Sequence, residues 1–322
     1  MVILILLLAG SFLLNMGLLG ALALFYGDLE DRVREKTISG QLTAPDKVAV
    51  ISIDGVLIEA EGFFKRQIEH ARKDQSVKAV VVRVESPGGT IAASDELYHL
   101  LRRLAQERKI PIVVSMGSIA ASGGYYVSMA VGDTPDSIFA EPATWTGSIG
   151  VIIPHYNLGD LLDKVGVKED SVASDRLKRM GSFTRPMTEE ERKIFQALVE
   201  ESFGHFKDVI REGRPKFRKD PKALDRLATG QIYSAGQAKT QGLVDRIGFL
   251  DDAVKRAIEL ARLSPADVHV VRYRRDVDLL GALLQSNARG PDLASLLQAS
   301  TPQAYYLYTS LPPLAATGLH RD

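Results

Sequence analysis

The chain has 322 residues, enough for one large domain or two small ones. Hydrophobic residues make up 45% and charged residues 25%, as in a globular protein that buries a core, and the net charge of +0 gives no indication of a nucleic-acid partner or an acidic substrate. The absence of cysteine excludes a thiol nucleophile, a disulfide framework and a cysteine-ligated metal site.

The N-terminal run Val2–Tyr26 carries no charge over 25 residues. As a helix it would span about 37 Å, enough for a bilayer core of about 30 Å, so we predict one transmembrane anchor at residues 1–26. A cleaved signal peptide is the alternative, with a small-x-small site at 21–23, but the run is longer than a usual signal core and no basic residue precedes it. Arg32, Arg34 and Lys36 follow the run, so charge counting alone puts the body in the cytoplasm.

Residues 27–46 are polar and are predicted to form a stalk before a body at 47–273. The body contains three short apolar runs typical of buried strands, at Lys47–Ile53, Lys78–Val84 and Pro111–Ser115. Because helical patterns separate these runs, the body is predicted to be an α/β domain with a largely parallel sheet.

Helices are indicated by apolar stripes, such as that of Leu97, Leu101 and Leu104, and by a capping box formed by Thr188 and Glu191. The predicted helices are Phe63–Lys73, Ala92–Lys109, Leu158–Val165, Glu189–Arg211, Ala235–Thr240 and Asp251–Arg262.

The C-terminal tail, residues 274–322, differs from the body in composition. Residues 286–303 are rich in Ser, Gln, Asn, Gly and Pro, which indicates a linker or a disordered segment. An apolar island follows, formed by Tyr305–Tyr308 and Leu311–Leu314. Three interpretations stay open for it: docking on the body, docking on a neighbouring subunit, or a disordered end.

Two glycine-rich turns follow predicted strands, at Ser86–Gly89 and Ala120–Tyr126. Turns at the ends of adjacent parallel strands meet at one edge of the sheet, where such folds bind ligands. Glycines there let backbone N–H groups approach a developing oxyanion. Ordinary turns with glycine for steric reasons are the alternative, and spacing alone favours it. The six histidines are scattered, so no Ser-His-Asp triad is visible.

Five ordered blocks between about 47 and 262 resemble signal peptide peptidase A. They are SPGG at 86–89, SMGSIAASGGYY at 115–126, TGSIGV at 146–151, KRMGS at 178–182 with Arg185 and Met187-Thr188 after it, and GQIYSAGQAKTQGLVDRIG at 230–248. The resemblance implies a fold like that of Clp proteases and crotonases, with repeated ββα units, and assembly into a homo-oligomer.

The resemblance also implies a site and a role. Ser122 would be the nucleophile and Lys178 its base, Gly89 and Gly123 would supply oxyanion N–H groups, and Ser148 would orient the lysine. The implied enzyme is a membrane-anchored serine endopeptidase that degrades remnant signal peptides and other apolar peptides. It would need no cofactor, metal or nucleic acid. The family also implies a catalytic body outside the cytoplasm, against the charge count.

Three alternatives are weighed against this prediction. A crotonase-like acyl-thioester hydratase or isomerase would need acidic side chains near the glycine turns, and only Glu85 and Asp95 lie nearby in sequence. A catalytically inactive membrane scaffold would keep the assembly without the chemistry. Within the charged run at 176–179, Lys178 could also be an ordinary surface lysine.

Overall fold

The protein is described from a computed structural model, in which the residues described are 10–18, 20, 33–275 and 304–307. Residues 10–18 are helical. Most of the predicted anchor, 1–26, and all of the predicted linker, 286–303, lie outside the described residues. Within the described ranges, no helix has both the length and the apolar character needed to cross a bilayer.

A single mixed sheet runs through the described part of the body. Its strands are β1 (Val33–Gly40), β2 (Asp46–Leu57), β3 (Val77–Thr90), β4 (Ile112–Ala121), β5 (Ile138–Ala140), β6 (Trp145–Gly147), β7 (Ile232–Ser234), β8 (Arg246–Ile247), β9 (Val268–Arg275) and β10 (Tyr305–Leu307). The main order is β1-β9-β2-β3-β4-β5-β8, with β10 beside β3, and with β6 between β4 and β7. Pairing from β9 through β8 is parallel, as is the pairing of β4 with β6. The predicted α/β class with a largely parallel sheet is confirmed.

Helices cover both faces of this sheet. They are α1 (Phe63–Lys73), α2 (Ile91–Arg108), α3 (Gly123–Ser128), α4 (Gly159–Lys164), α5 (Glu189–Gly213), α6 (Pro215–Lys219), α7 (Pro221–Leu227), α8 (Ala235–Gln241) and α9 (Leu250–Leu260). The side chains of alternate residues of β3 point to opposite faces of the sheet and pack into two separate apolar cores. Val80 and Val82 pack with α1, α2, α3 and α5, whereas Val81 packs with Ala253 and Ala257 of α9. The continuous apolar runs in the sequence thus reflect burial on both faces.

Capping side chains fix where several helices begin. The Thr90 side chain, at the end of β3, accepts a hydrogen bond from the Ala93 N–H and so begins α2 directly after the strand. The predicted capping box of Thr188 and Glu191 is present at the start of α5. Both helices begin within one residue of the predicted positions.

The predicted stalk is wrong over residues 33–40, because these residues form the edge strand β1. This strand pairs antiparallel with β9, from Val33 opposite Arg275 to Gly40 opposite His269. Only one face of β1 contacts the body, and the positions on that face are half-buried, so they can be polar. Glu35, for example, is bound by Lys47 at 2.8 Å. A polar edge strand of this kind lacks the apolar alternation by which strands are recognised in a sequence.

We expect Leu101→Ala to lower the free energy of unfolding by about 2–5 kcal/mol, because its side chain is fully buried among α2, the sheet and α3 and its truncation leaves a cavity. Urea denaturation measures the change. Leu198→Ala on α5 is the control, since Leu198 is 45% exposed and should change stability by no more than about 0.5 kcal/mol. Equal losses in the two variants would contradict this account of the core.

Candidate active site

Ser122 lies at the sharp turn between β4 and α3. Its backbone adopts φ 52° and ψ −113°, a left-handed region that is costly for a residue with a side chain. Two bonds of 2.8 Å hold it there: the Ser122 N–H donates to the Gly147 carbonyl, and the Ser122 carbonyl accepts from the Tyr126 N–H. The serine is thereby fixed at the carboxyl edge of the sheet, and only 1% of the residue is exposed.

Ser148 occupies the matching position on the neighbouring strand. β4 and β6 are parallel, with Ala121 opposite Gly147, so Ser122 and Ser148 directly follow paired residues. Ser148 also has a positive φ, 49°, and its N–H donates to the Gln231 carbonyl at 2.7 Å. The structure therefore places these two predicted site residues side by side.

The two predicted oxyanion glycines also approach each other closely. A Cβ built on Gly123 would lie 3.1 Å from the Gly89 nitrogen, and it would overlap the Ser94 hydroxyl. A Cβ built on Gly89 would overlap the Leu57 carbonyl. Neither position has room for a side chain. Because both residues are glycine, their two backbone N–H groups can lie next to Ser122.

Strand β10 lies against this same edge. It pairs antiparallel with the end of β3, with Tyr306 opposite Gly89. On its other side, Tyr305 exchanges both backbone bonds with Ile152, at 2.9 and 3.1 Å. The space between the end of β3 and Ile152, which β10 fills, is called the cleft below. Three interpretations were open for the apolar island, and for Tyr305–Leu307 the structure gives docking on the body. Tyr308 and Leu311–Leu314 lie outside the described residues.

Lys178 lies apart from the other predicted residues. It is exposed on the short 3-10 turn Arg176–Arg179. Among the described residues its amine makes no hydrogen bond or ion pair, and none joins it to the Ser122 hydroxyl. The single chain therefore brings Ser122, Ser148, Gly89 and Gly123 together but does not add the lysine.

The turn that carries Lys178 is nevertheless held in place. The Arg185 guanidinium donates to the Arg179 carbonyl at 2.9 Å and pairs with the buried Glu191 carboxylate at 2.5 Å. Arg179 itself pairs with Glu169 at 2.8 Å. The start of α5 thus fixes the position of this turn.

The two acidic residues that a hydratase would need both have hydrogen-bond partners. Glu85 accepts bonds from the Ser118 N–H at 2.9 Å and lies 3.6 Å from Arg83. Asp95 accepts from the Tyr126 hydroxyl and lies 3.2 Å from a His205 ring nitrogen. Both carboxylates are therefore engaged by these contacts, and Asp95 binds a side chain of the second glycine-rich turn.

Sequence reasoning missed one residue of the site, Tyr306. Its ring is fully buried beside Tyr126, and its backbone lies along the glycine-rich end of β3. The available signal was the apolar island that follows a polar segment, but composition alone does not say which surface such an island contacts.

Comparison with known proteins gives a consistent result. The family model described as peptidase family S49 matches residues 104–264. A predicted signal peptide peptidase SppA of Enterococcus faecium is 35% identical over 81% of this chain and 76% of its own length. A predicted protease of Synechocystis is 38% identical over 70% of this chain and 78% of its own length.

Some similar proteins are considerably longer. Protease 4 of Haemophilus influenzae is 33% identical over 76% of this chain, but the match covers 41% of its own length. The chain thus spans less than half of that relative.

Acid should weaken the attachment of the Lys178 turn. The pKa of the Glu191 carboxyl is lowered to about 2, first by the Arg185 hydrogen bond and also by the Thr188 N–H at 2.9 Å. A carboxylate with a depressed pKa stabilises the fold above its ordinary pKa near 4.5, and this contribution is lost as the pH falls toward 2. We therefore expect the stability difference between wild type and Glu191→Gln to be largest at pH 7 and to shrink below pH 4.5.

Urea midpoints at pH 7, 4.5 and 3 measure this difference. Glu200→Gln, on the exposed face of the same helix, is the control and should leave the midpoints nearly unchanged. A gap between wild type and Glu191→Gln that stays constant with pH would contradict the role given to the carboxylate.

Proposed function

The chain belongs to peptidase family S49 and is a serine peptidase, and from that premise we propose that it is an endopeptidase for apolar peptides, remnant signal peptides among them, with Ser122 as nucleophile and Lys178 as base. The observation that carries the proposal is the strained turn at Ser122, with the Gly89 and Gly123 backbones against it. A buried serine at the carboxyl edge of a parallel sheet, next to backbone N–H donors, suits acyl transfer.

The proposed reaction has two steps. In the first, the Ser122 oxygen bonds to the scissile carbonyl carbon, its proton passes to the neutral Lys178 amine, and the Gly89 and Gly123 N–H groups stabilise the oxyanion. The C–N bond then breaks as Lys178 returns the proton to the leaving amine. In the second step, a water molecule gives a proton to Lys178 and its oxygen bonds to the ester carbonyl carbon. The ester C–O bond then breaks as Lys178 returns the proton to the Ser122 oxygen, which releases the acid and restores the serine and the neutral amine.

The lysine would reach the serine in a homo-oligomer. Lys178 is exposed in the single chain, and no other described titratable side chain bonds to the Ser122 hydroxyl. The segment that precedes Lys178 carries exposed apolar side chains, which supports an interface between copies there. These are Leu161 at 58% exposure, Val165 at 65%, Val167 at 52% and Val172 at 101%. In the proposed assembly, burial at this interface would favour the neutral amine that a base requires.

Ser122→Ala and Lys178→Ala should each reduce hydrolysis of an apolar peptide by about 10⁴-fold or more, because nucleophile and base act as a unit. Cleavage of a fluorogenic peptide measures the loss, and labelling by a fluorophosphonate probe reports on the serine directly. Lys193→Ala, which removes an exposed lysine on α5, is the control and should keep wild-type activity. Near-wild-type activity of Lys178→Ala would remove that residue from the mechanism, and probe labelling of Ser122→Ala would remove the serine.

We also propose that residues 1–26 anchor the protein in the cell membrane as a single span, with the catalytic body outside the cytoplasm. The support is the uncharged run Val2–Tyr26. The full chain should then stay with the membrane in alkaline carbonate, and protease added outside intact spheroplasts should digest its body. Extraction into the carbonate supernatant would contradict the anchor, and protection of the body would contradict the orientation.

A further inference from the structure

The pairing of β3 with β4 becomes irregular shortly before β4 ends. It advances from Val84 opposite Met116 to Ser86 opposite Ala120. Between these pairs one residue of β3 faces three residues of β4, 117–119, so β4 carries a bulge with two extra residues. Bulges bend the strand that contains them and are frequent next to active sites.

A single carboxylate, that of Glu85 on β3, binds this bulge. One of its oxygens accepts from the Ser118 N–H at 2.9 Å and from the Ile119 N–H at 3.3 Å, and the Ser118 hydroxyl donates to the same oxygen. Hydrogen bonds to an ionised acceptor are stronger than bonds between neutral groups. Glu85 thus supplies an acceptor for backbone donors that the bulge removes from the β3–β4 ladder.

The first residue of the bulge, Gly117, is fitted to this carboxylate. A Cβ built on Gly117 would overlap the other Glu85 oxygen, and it would lie 2.7 Å from the Arg83 guanidinium. The Gly117 carbonyl accepts at 2.6 Å from the hydroxyl of Thr144, which is fully buried. Arg83 in turn lies 3.6 Å from the Glu85 carboxylate and bonds Glu141 at 2.6 Å. Side chains from both neighbouring parts of the sheet therefore hold the bulge in one conformation.

The bulge also changes the strand with which β4 pairs. Before it, residues 114–116 pair with β5, and after it, residues 119–121 pair with β6. Ser122 comes next, and its N–H bond to the Gly147 carbonyl extends the pairing with β6. The conformation of the bulge therefore sets where the nucleophile leaves the sheet, and in which direction.

Glu85 links the two strand ends that build the site. Its backbone belongs to β3, whose end carries Gly89, and its carboxylate binds β4, whose end leads to Ser122 and Gly123. The β3–β4 pairing ends one residue after Glu85. Because the two oxyanion donors come from different strand ends, their separation depends on how β3 and β4 are joined at this point.

We propose that Glu85 is a positioning residue, whose carboxylate fixes the bulge at 117–119 and thereby sets the distances between the Ser122 oxygen and the N–H groups of Gly89 and Gly123. Glu85 acts on the reaction only through the backbone of β4. The inference rests on the proposed function, because it uses the same nucleophile and oxyanion donors. It gives a role to one of the two acidic residues that a hydratase would need.

Glu85→Gln keeps the size of the side chain but removes its charge and replaces one acceptor oxygen by a donor. A misplaced oxyanion site loses transition-state stabilisation and keeps substrate binding, so kcat should fall about 30-fold while KM stays within about 2-fold. The full chain is assayed with a fluorogenic apolar peptide, well below its unfolding midpoint.

Glu69→Gln is the matched control. Glu69 is also a carboxylate with arginine partners, but these are Arg72 on α1 and Arg103 on α2, at 2.6 and 3.3 Å. This variant should keep the kcat of the wild type. An unchanged kcat in Glu85→Gln, or an equal loss in Glu69→Gln, would overturn the proposal.

A pair of inhibitors distinguishes positioning from a general loss of stability. A peptide aldehyde forms an adduct with a catalytic serine and places its oxygen in the oxyanion site, whereas the peptide alcohol of the same sequence binds without an adduct. Glu85→Gln should weaken binding of the aldehyde about 10-fold or more, and binding of the alcohol less than about 2-fold. Equal effects on the two ligands would contradict a positioning role.

The close contact at Gly117 provides a test that does not use glutamine. Gly117→Ala should displace the Glu85 carboxylate and lower kcat, whereas in a Glu85→Ala background it should cost less than about 3-fold more, because the overlapping oxygen is gone. Losses in kcat that simply multiply in the double variant would show that the two residues act independently, against the proposal.

The two proposals fail in different ways. Suppose that the wild type hydrolyses no peptide, but that fluorophosphonate labelling of Ser122 is slowed by Glu85→Gln and not by Glu69→Gln; the proposed function is then wrong and the positioning role remains. Peptide hydrolysis that is lost in Ser122→Ala but unaffected by Glu85→Gln would remove the positioning role and leave the peptidase.

Discussion

The hydrogen bond from the Ser122 N–H to the Gly147 carbonyl is the constraint on which the arrangement of the site depends. It joins the ends of β4 and β6, two parallel strands that stop in register. Beyond this bond both chains turn with a positive φ, at Ser122 and at Ser148. Parallel pairing thus brings two residues that are distant in sequence next to each other at one edge of a buried sheet. The surrounding sheet holds the strained backbone of both residues in place. The same turn begins the helix that carries Tyr126, whose ring stacks on that of Tyr306, so the position of the serine and this aromatic contact are fixed together.

Most of the fold could be predicted because its signals are local. The apolar runs that became β2, β3 and β4 are buried on both faces, and threonine and glutamate mark the start of α5. The predicted strands were too short at their carboxyl ends. For example, Ser86–Gly89 was predicted to be a turn but is part of β3. These residues lack the β-branched side chains by which strands are recognised, and they remain in the sheet because β2 and β10 pair with them.

The missed features depend on contacts that are distant in sequence. β1 is polar because only one of its faces meets the body, and Tyr306 enters the cleft from about 30 residues beyond β9. The glycine-rich pattern alone favoured ordinary turns, so the serine and glycine positions of the candidate site were predicted from the resemblance of the sequence blocks to a known family. The structure brings these positions together. Lys178 follows a segment of little regular structure with few buried residues, so neither the sequence nor the single chain determines what its amine contacts.

The edge strand β1 changes how far the body can stand from a membrane. A stalk of 20 residues, as predicted for 27–46, would have allowed the body to lie up to about 65 Å from the membrane at full extension. Because Val33 already belongs to the sheet, only residues 27–32 remain as a spacer after the apolar run, and six residues reach at most about 20 Å. In a protein anchored by that run, the sheet edge formed by β1 would stay close to the lipid headgroups, so peptides leaving the bilayer would meet the enzyme within a short distance of the surface.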